Sequence, residues 1–289
     1  MKRLFITGGS GLLGSKFKYI AGSKYEIVTT HHKNPGENSV LFDITDENDV
    51  MNKITSLNPD AVIHAAALTN VDYCEDHPKE AWNVNAKGTD NIAKACEKTG
   101  SKLTYVSTDF VFDGERGMYS EEDKTNPLGY YASTKLEGEE FIRQYDDLNY
   151  AIARVSVLYG WHTRMNFVTW VIDELKNGNE INIVTDQYNS PTLADNAAEA
   201  MIKIFEKDKT GIYHTVGDER INRFDFARNI AEVFDLDSSL INPTKSTNFV
   251  QKAKRPKDSS LNVEKVQRDL GIKMLNTTEG LNYMKKVMQ

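Results

Sequence analysis

The stretch from Leu4 to Gly14 constrains the fold more than any other part of the chain. Leu4, Phe5 and Ile6 run straight into Thr7-Gly8-Gly9-Ser10-Gly11-Leu12-Leu13-Gly14, and a helical pattern follows from Leu12 to Ile20. An apolar run, a glycine-rich turn and a helix start in immediate succession predict a buried strand, a tight loop and a helix N-terminus. Glycine lets the backbone take positive φ and approach a ligand closely. The free N–H groups and dipole at a helix start attract an anion such as a pyrophosphate. Two spacings fit: Gly9-Gly11-Gly14 reads G-x-G-x-x-G, and Gly8-Gly11-Gly14 reads G-x-x-G-x-x-G. Placement after an N-terminal strand and before a helix gives the motif its weight.

Composition narrows the remaining classes. A chain of 289 residues, 39% hydrophobic and 27% charged, can bury a substantial core. Its net charge of -7 argues against binding nucleic acid or an anionic membrane. An anionic ligand therefore needs a local site. The two cysteines, Cys74 and Cys96, lack metal-ligand or disulfide spacing and read as inert thiols in a reducing cytosol. No metal site is expected. The apolar run after Lys2 and Arg3 is too short for a signal peptide, and no stretch reaches the roughly 18 apolar residues of a membrane span. The expected location is cytoplasmic.

Tyr25 to Thr30 reads as a second strand and Val40 to Phe42 as a short third one. A dinucleotide-binding unit selective for NAD usually carries an Asp or Glu at the end of its second strand. Here the chain gives Thr30-His31-His32-Lys33, with no carboxylate to repel a 2′-phosphate, so NADP is the expected cofactor, with His31, His32 and Lys33 receiving it. Thr45 or Asp46 caps a helix through Val50, Ile54 and Leu57, and Pro59 ends it. Ala61 to Ala67 is a buried strand ending in small residues, with His64 expected in the core. A helix is predicted from Pro78 to Lys98, then a strand from Leu103 to Val106 opening onto Ser107-Thr108-Asp109. Another helix runs from about Tyr131 to Tyr145, then a strand from Tyr150 to Val155. This alternation predicts an α/β fold with a doubly wound parallel sheet, Rossmann-like, and ligands at the carboxyl ends of its strands. Residues 1–155 would form the dinucleotide-binding domain, with a return segment near 188–206, and 156–289 a smaller α/β substrate domain. In that second part helices are expected at Phe167–Lys176, Leu193–Glu206 and Arg223–Phe234, with strands near Ile181 and Ile212. The basic run Lys252 to Lys257 suits an anionic group on a substrate, or a solvated loop.

Tyr131 and Lys135 stand four apart on a predicted helix, so both leave the same face. A nearby ammonium favours a phenolate and would make the tyrosine a usable acid and base. Thr108, at the end of the preceding core strand, offers a hydroxyl to a substrate oxygen. With the glycine loop about 120 residues upstream, these residues resemble the extended short-chain dehydrogenase/reductases, and within them the dTDP-4-dehydrorhamnose reductases. Four blocks carry the likeness in order: Ser107 to Gly114, Tyr131 to Glu139, Asp186 to Thr192 and Arg255 to Leu261.

The resemblance implies NADPH-dependent reduction of a 4-keto-6-deoxy sugar nucleotide, most closely dTDP-4-dehydro-L-rhamnose to dTDP-L-rhamnose. It gives Tyr131 the proton donor's part, Lys135 the nicotinamide ribose and Thr108 the carbonyl. It places Asp109 beside the sugar, while the basic run makes Arg255 the candidate for the substrate's anionic group. Gly8, Gly11, Leu12, Leu13 and Gly14 would wrap the pyrophosphate, Asp43 and Ile44 flank the adenine, and Ala65, Ala66 and Ala67 line the far side. Asn85 would steady the active-site helix. Two departures stand out: Val157 occupies the place of a Trp that these reductases commonly carry, leaving Trp161 as a substitute surface, and Lys16 stands where some members place a metal-binding carboxylate. The expected partner is a small-molecule sugar nucleotide, with a homodimer allowed. Two alternatives are an NAD-recycling sugar-nucleotide epimerase or dehydratase, and a non-catalytic NADP-binding subunit similar to methionine adenosyltransferase β.

Overall fold

The computed structural model describes residues 1–287. In chain order the first half gives β1 (Arg3–Thr7), α1 (Leu12–Ala21), β2 (Glu26–His31), β3 (Val40–Leu41), α2 (Glu47–Leu57), β4 (Ala61–His64), α3 (Val71–Asp76) and α4 (Pro78–Trp82). It continues with α5 (Gly88–Thr99), β5 (Lys102–Thr108), α6 (Tyr130–Ile142) and β6 (Tyr150–Val155). The second half adds β7 (Leu158–Tyr159), α7 (Phe167–Lys176), β8 (Ile181–Val184), β9 (Tyr188–Asn189), β10 (Thr192–Leu193), α8 (Ala194–Glu206) and β11 (Gly211–His214). It ends with β12 (Ile221–Asn222), α9 (Arg223–Val233), β13 (Ile241–Thr244), α10 (Glu264–Leu270) and α11 (Thr277–Val287).

Seven parallel strands form the main sheet in the order β11-β6-β5-β4-β1-β2-β3. Side chains alternate across it as the strand period requires. Leu4 and Ile6 point to one face, where Leu13 and Phe17 of α1 and Ala197 and Met201 of α8 cover them. Phe5 points to the other, into Val50 and Ile54 of α2, Ile92 of α5 and Ile142 of α6. Helices on both faces account for strands as uniformly buried as β4. The sheet does not end at Val155: β11 pairs with β6, and α8 lies on α1, so residues 194–214 pack with the first half. A separate core around Tyr159, Val171, Ile172, Phe226, Ile230 and Leu281 holds α7, α9 and α11 together.

Helix ends follow the local chemistry. Asp46 caps α2 by accepting from the amides of Asn48 and Asp49, and Asn58 closes it in the left-handed region at φ 42°. The helix expected from Pro78 to Lys98 is interrupted: α4 and α5 are joined by a π turn at Asn83–Lys87. That extra residue per turn places Asn85 in the interior, 1% exposed, a displacement that a regular 3.6-residue pattern conceals.

Candidate active site

The strand order reverses between β1 and β4, and a cleft of about 910 Å³ opens at the carboxyl ends of the strands there. Its floor is the glycine loop. Gly8 takes φ 68°, and a Cβ on it would lie 2.8 Å from the Ala66 amide nitrogen. A Cβ on Gly14 would lie 2.3 Å from the Gly8 carbonyl oxygen. Gly8, Gly11, Leu12, Leu13 and Gly14 line the cleft. Gly9 serves packing instead: a Cβ there would meet Thr29 Cβ at 2.4 Å. Both glycine spacings are therefore used, one toward the cleft and one toward β2. Gly11 starts α1 without a side-chain cap, and the first turn carries no acidic residue, leaving its N–H groups for an anion.

One wall of the cleft takes His31, His32 and Lys33 from the end of β2, with Asp43 and Ile44 beside them. His31 Nδ1 is 2.7 Å from the Ser39 hydroxyl. The expectation that this end lacks a carboxylate is corrected, because Asp43 lies 3.7 Å from His32 Nε2. Burial works against its charge, but hydrogen bonds from Thr45 and the neighbouring His32 hold the carboxyl below its usual range. The carboxylate comes from the loop after β3, not from the end of β2. Ala65, Ala66 and Ala67 line the opposite side. His64 stays in the core, as its apolar surroundings predicted. Its Nδ1 meets Thr7 Oγ1 at 2.7 Å and its Nε2 meets Thr89 Oγ1 at 3.2 Å, while burial pulls its pKa down to about 3. Thr7 Oγ1 in turn accepts from the Ala66 amide at 3.1 Å, fixing that wall's backbone. Asn85 accepts from the Leu68 amide at 2.8 Å and donates to Leu68 O and to Thr134 Oγ1 on α6, joining the loop after β4 to the helix that bears Tyr131.

Thr108, Tyr131 and Lys135 meet at the other end of the same cleft. Burial pushes the Tyr131 phenol above its usual range; the Thr108 hydroxyl works the other way, and Asp109 adds to the rise. Burial also pulls Lys135 down to about 7, against the opposing pull of Glu139. Its ammonium lies 4.2 Å from the centre of the Tyr105 ring. The phenol is raised overall, not lowered as a neighbouring ammonium predicts, because burial is the largest influence on it. Spacing of i and i+4 brought the pair to one cleft, but packing turned the ammonium toward Tyr105.

Three further placements differ from the sequence reading. Asp109 does not face the cleft; it is 3% exposed behind Thr108, with hydroxyls from Ser156 and Ser259 on its carboxylate at 2.8 and 2.5 Å. Arg255 does not line the cleft either. Its guanidinium grips Asp72 at 2.6 and 2.8 Å, and this pairing draws the Asp72 carboxyl down to about 2. Lys252 pairs with Asp76 at 2.6 Å, so the basic run straps the C-terminal part onto α3. Trp161 is turned into the second core, where its Nε1 donates to Met284 O at 2.8 Å and its ring sits edge-on to Phe234. It offers no aromatic surface to the cleft. Val157 does line the cleft, at φ 41°, a conformation that is costly for a β-branched residue. Lys16 bridges α1 to Asp195 on α8 at 3.3 Å and donates to Trp161 O.

Sequence reasoning missed Arg223. It follows the N-cap Asn222 of α9, lines the cleft and lies 5.0 Å from the centre of the Phe167 ring; burial pulls its pKa to about 10. Its position, first in an amphipathic helix far along the chain, carries no local signature. Also missed was the fully buried pair beneath the site. Glu139 takes Arg154 Nε at 2.9 Å, the second Arg154 nitrogen at 2.7 Å and the Ser107 hydroxyl at 2.6 Å. The i+4 repeat from Tyr131 through Lys135 to Glu139 was a usable signal for it.

Across residues 1–289 the chain matches the family described as RmlD substrate binding domain. The chain belongs to this family. It is 32% identical to a dTDP-4-dehydrorhamnose reductase of Aggregatibacter actinomycetemcomitans over 94% of each chain. It is also 32% identical to methionine adenosyltransferase 2 subunit beta of Bos taurus, over 94% of this chain and 83% of that one. The crystal structure of a dTDP-4-dehydrorhamnose reductase from Bacillus anthracis in complex with NADP superposes with a TM-score of 0.92 at 31% identity, covering 99% of this chain and 100% of that one. These likenesses make the molecule a reductase-like member of the extended dehydrogenases with a Rossmann-like sheet. Among the described residues no helix is long and apolar enough to cross a membrane.

Proposed function

We propose that this protein uses NADPH to reduce the keto group of a 4-keto-6-deoxy sugar nucleotide, with dTDP-4-dehydro-L-rhamnose the first substrate to test. The observation that carries the reading is that Thr108, Tyr131 and Lys135 share one cleft with an uncapped helix start and a glycine cradle. The donor set suits NADP: amides of the glycine loop for the pyrophosphate, and His31, His32 and Lys33 for a 2′-phosphate. Bound NADPH would supply the hydride. Tyr131 Oη holds the proton that the developing alkoxide needs, and its raised pKa keeps that proton in place until the oxyanion forms. Lys135 Nζ, its pKa drawn down by burial, is suited to hold ribose hydroxyls, and an adjacent anion would favour its charged form. Arg223 and Arg164, which line the cleft, are its cations for a substrate diphosphate, rather than Arg255.

Val157 and the averted Trp161 favour a second reading, a non-catalytic NADP-binding subunit like the methionine adenosyltransferase β relatives. Oxidation of NADPH in the presence of the dTDP-4-keto-6-deoxy sugar separates the two. Turnover by the wild type and a loss of about 10² to 10⁴ in kcat for Tyr131→Phe support the reductase. No turnover by the wild type removes it, and equal turnover by both removes the role of Tyr131.

A further inference from the structure

The buried carboxylate of Asp109 has no part in the chemistry above, yet three hydroxyls converge on it. Thr108 Oγ1 donates to Oδ1 at 3.1 Å, while Ser156 and Ser259 donate to Oδ2 at 2.8 and 2.5 Å. Ser156 directly follows β6, and Ser259 comes from the C-terminal segment, 150 residues from Asp109 in sequence. A carboxylate this buried needs every donor it can find, so the three hydroxyl protons are committed to it. A hydroxyl has one proton. With that proton on Asp109 and one lone pair taken by the Phe110 amide at 3.2 Å, the rotation of Thr108 Oγ1 is fixed.

We propose that Asp109 and Ser259 are positioning residues for Thr108: the C-terminal segment reaches across the sheet to lock the hydroxyl that stands beside Tyr131. The segment is seated firmly enough to do so. The Asp258 amide donates to Gly114 O at 3.1 Å, the Tyr119 amide donates to Ser260 O at 3.0 Å, and Arg220 holds the Asp258 carboxylate at 2.6 Å. Gly114, at φ 78°, leaves no room for a Cβ, which would fall 2.4 Å from Pro256 Cβ. The block from Arg255 to Leu261 thereby acts on the reaction through Ser259, not through the arginine. Thr108, so held, keeps its oxygen at a fixed place beside the Tyr131 phenol.

The proposal rests on the reductase reading, and two measurements keep their failures apart. In NADPH oxidation with the dTDP-4-keto-6-deoxy sugar, Ser259→Ala lowers kcat at least fivefold with the NADPH dissociation constant within twofold. Asp109→Ala loses at least twentyfold, and Asp109→Asn, which keeps an oxygen for Thr108, recovers to within threefold of the wild type. Wild-type kcat in Ser259→Ala overturns the proposal, whether or not Asp109→Ala folds. Hydrogen–deuterium exchange of the unliganded protein needs no substrate: exchange across residues 107–112 quickens at least threefold in Ser259→Ala, and unchanged exchange overturns the coupling. Should the wild type not reduce the keto sugar, the reductase reading falls and the exchange experiment alone decides the positioning.

Discussion

Lys135 is held at a cost that can be measured. Its ammonium is 2% exposed, and burial brings its pKa from 10.5 to about 7. At about 1.4 kcal/mol per pH unit, that depression amounts to roughly 5 kcal/mol of folding free energy forgone below pH 7. Lys135→Met keeps the stem and removes the charge, so at pH 6 the variant gains up to about 5 kcal/mol, or roughly 10–20 °C in Tm. Between pH 7 and 10.5 the unfolded lysine binds a proton that the folded one does not, so wild-type stability rises with pH through that window. The advantage of Lys135→Met therefore shrinks from pH 6 toward pH 9. Urea unfolding of both proteins without cofactor at pH 6, 7.5 and 9 reads the difference directly, and other titrating groups cancel in it. A variant less stable than the wild type at pH 6, or a gap that stays constant to pH 9, refutes the reasoning. A lysine kept against such a penalty, in a cleft, is one retained for binding or chemistry.

Three other outcomes are expected. Gly14→Ala drives a methyl into the Gly8 carbonyl and lowers NADP affinity at least tenfold by calorimetry; unchanged affinity sinks the cradle reading. Lys33→Ala weakens NADPH about fivefold at low ionic strength and leaves NADH unaffected, and equal losses for both would place Lys33 outside the 2′-phosphate site. Glu139→Gln takes the paired carboxylate from the buried Arg154 guanidinium, for a loss of about 3–5 kcal/mol in urea unfolding; a loss under 1 kcal/mol would show that Glu121 or His214 compensates.

The main sheet and the nucleotide end of the cleft were legible because their determinants are local. The order of apolar run, glycine loop and helix needs only neighbours to be read. His64 among apolar residues, the Asp46 cap, and the i, i+4 pair Tyr131 and Lys135 are likewise set within a few residues. The two glycine spacings could not be separated in sequence, since a glycine facing a ligand and one packed on Thr29 look alike until β2 is in place. The helix expected from Pro78 to Lys98 erred for a related reason. A π turn adds one residue without any change in composition, and its purpose, carrying Asn85 to Leu68 and Thr134, lies outside the helix.

The substrate end was misread wherever a side chain found a partner from far along the chain. Arg255 was assigned to a ligand because it is a cation in a basic run, but α3 presents Asp72 from 183 residues earlier, and the planar fork closes on that carboxylate. Asp109 was assigned to a sugar, but two serines from separate segments enclose it. Trp161 was offered as an aromatic surface, but the carbonyl of Met284 takes its N–H. In each case the residue's chemistry was read correctly and its partner was not visible. The same pairing explains what was missed. With Arg255 and Lys252 bound to the acids of α3, the cleft's charge toward an anionic substrate falls to Arg223 and Arg164, residues with no motif around them. A diphosphate could draw Arg255 in only by displacing Asp72. Asp72→Asn therefore leaves binding of a dTDP-sugar unchanged, and tighter binding would show that Arg255 takes part after all.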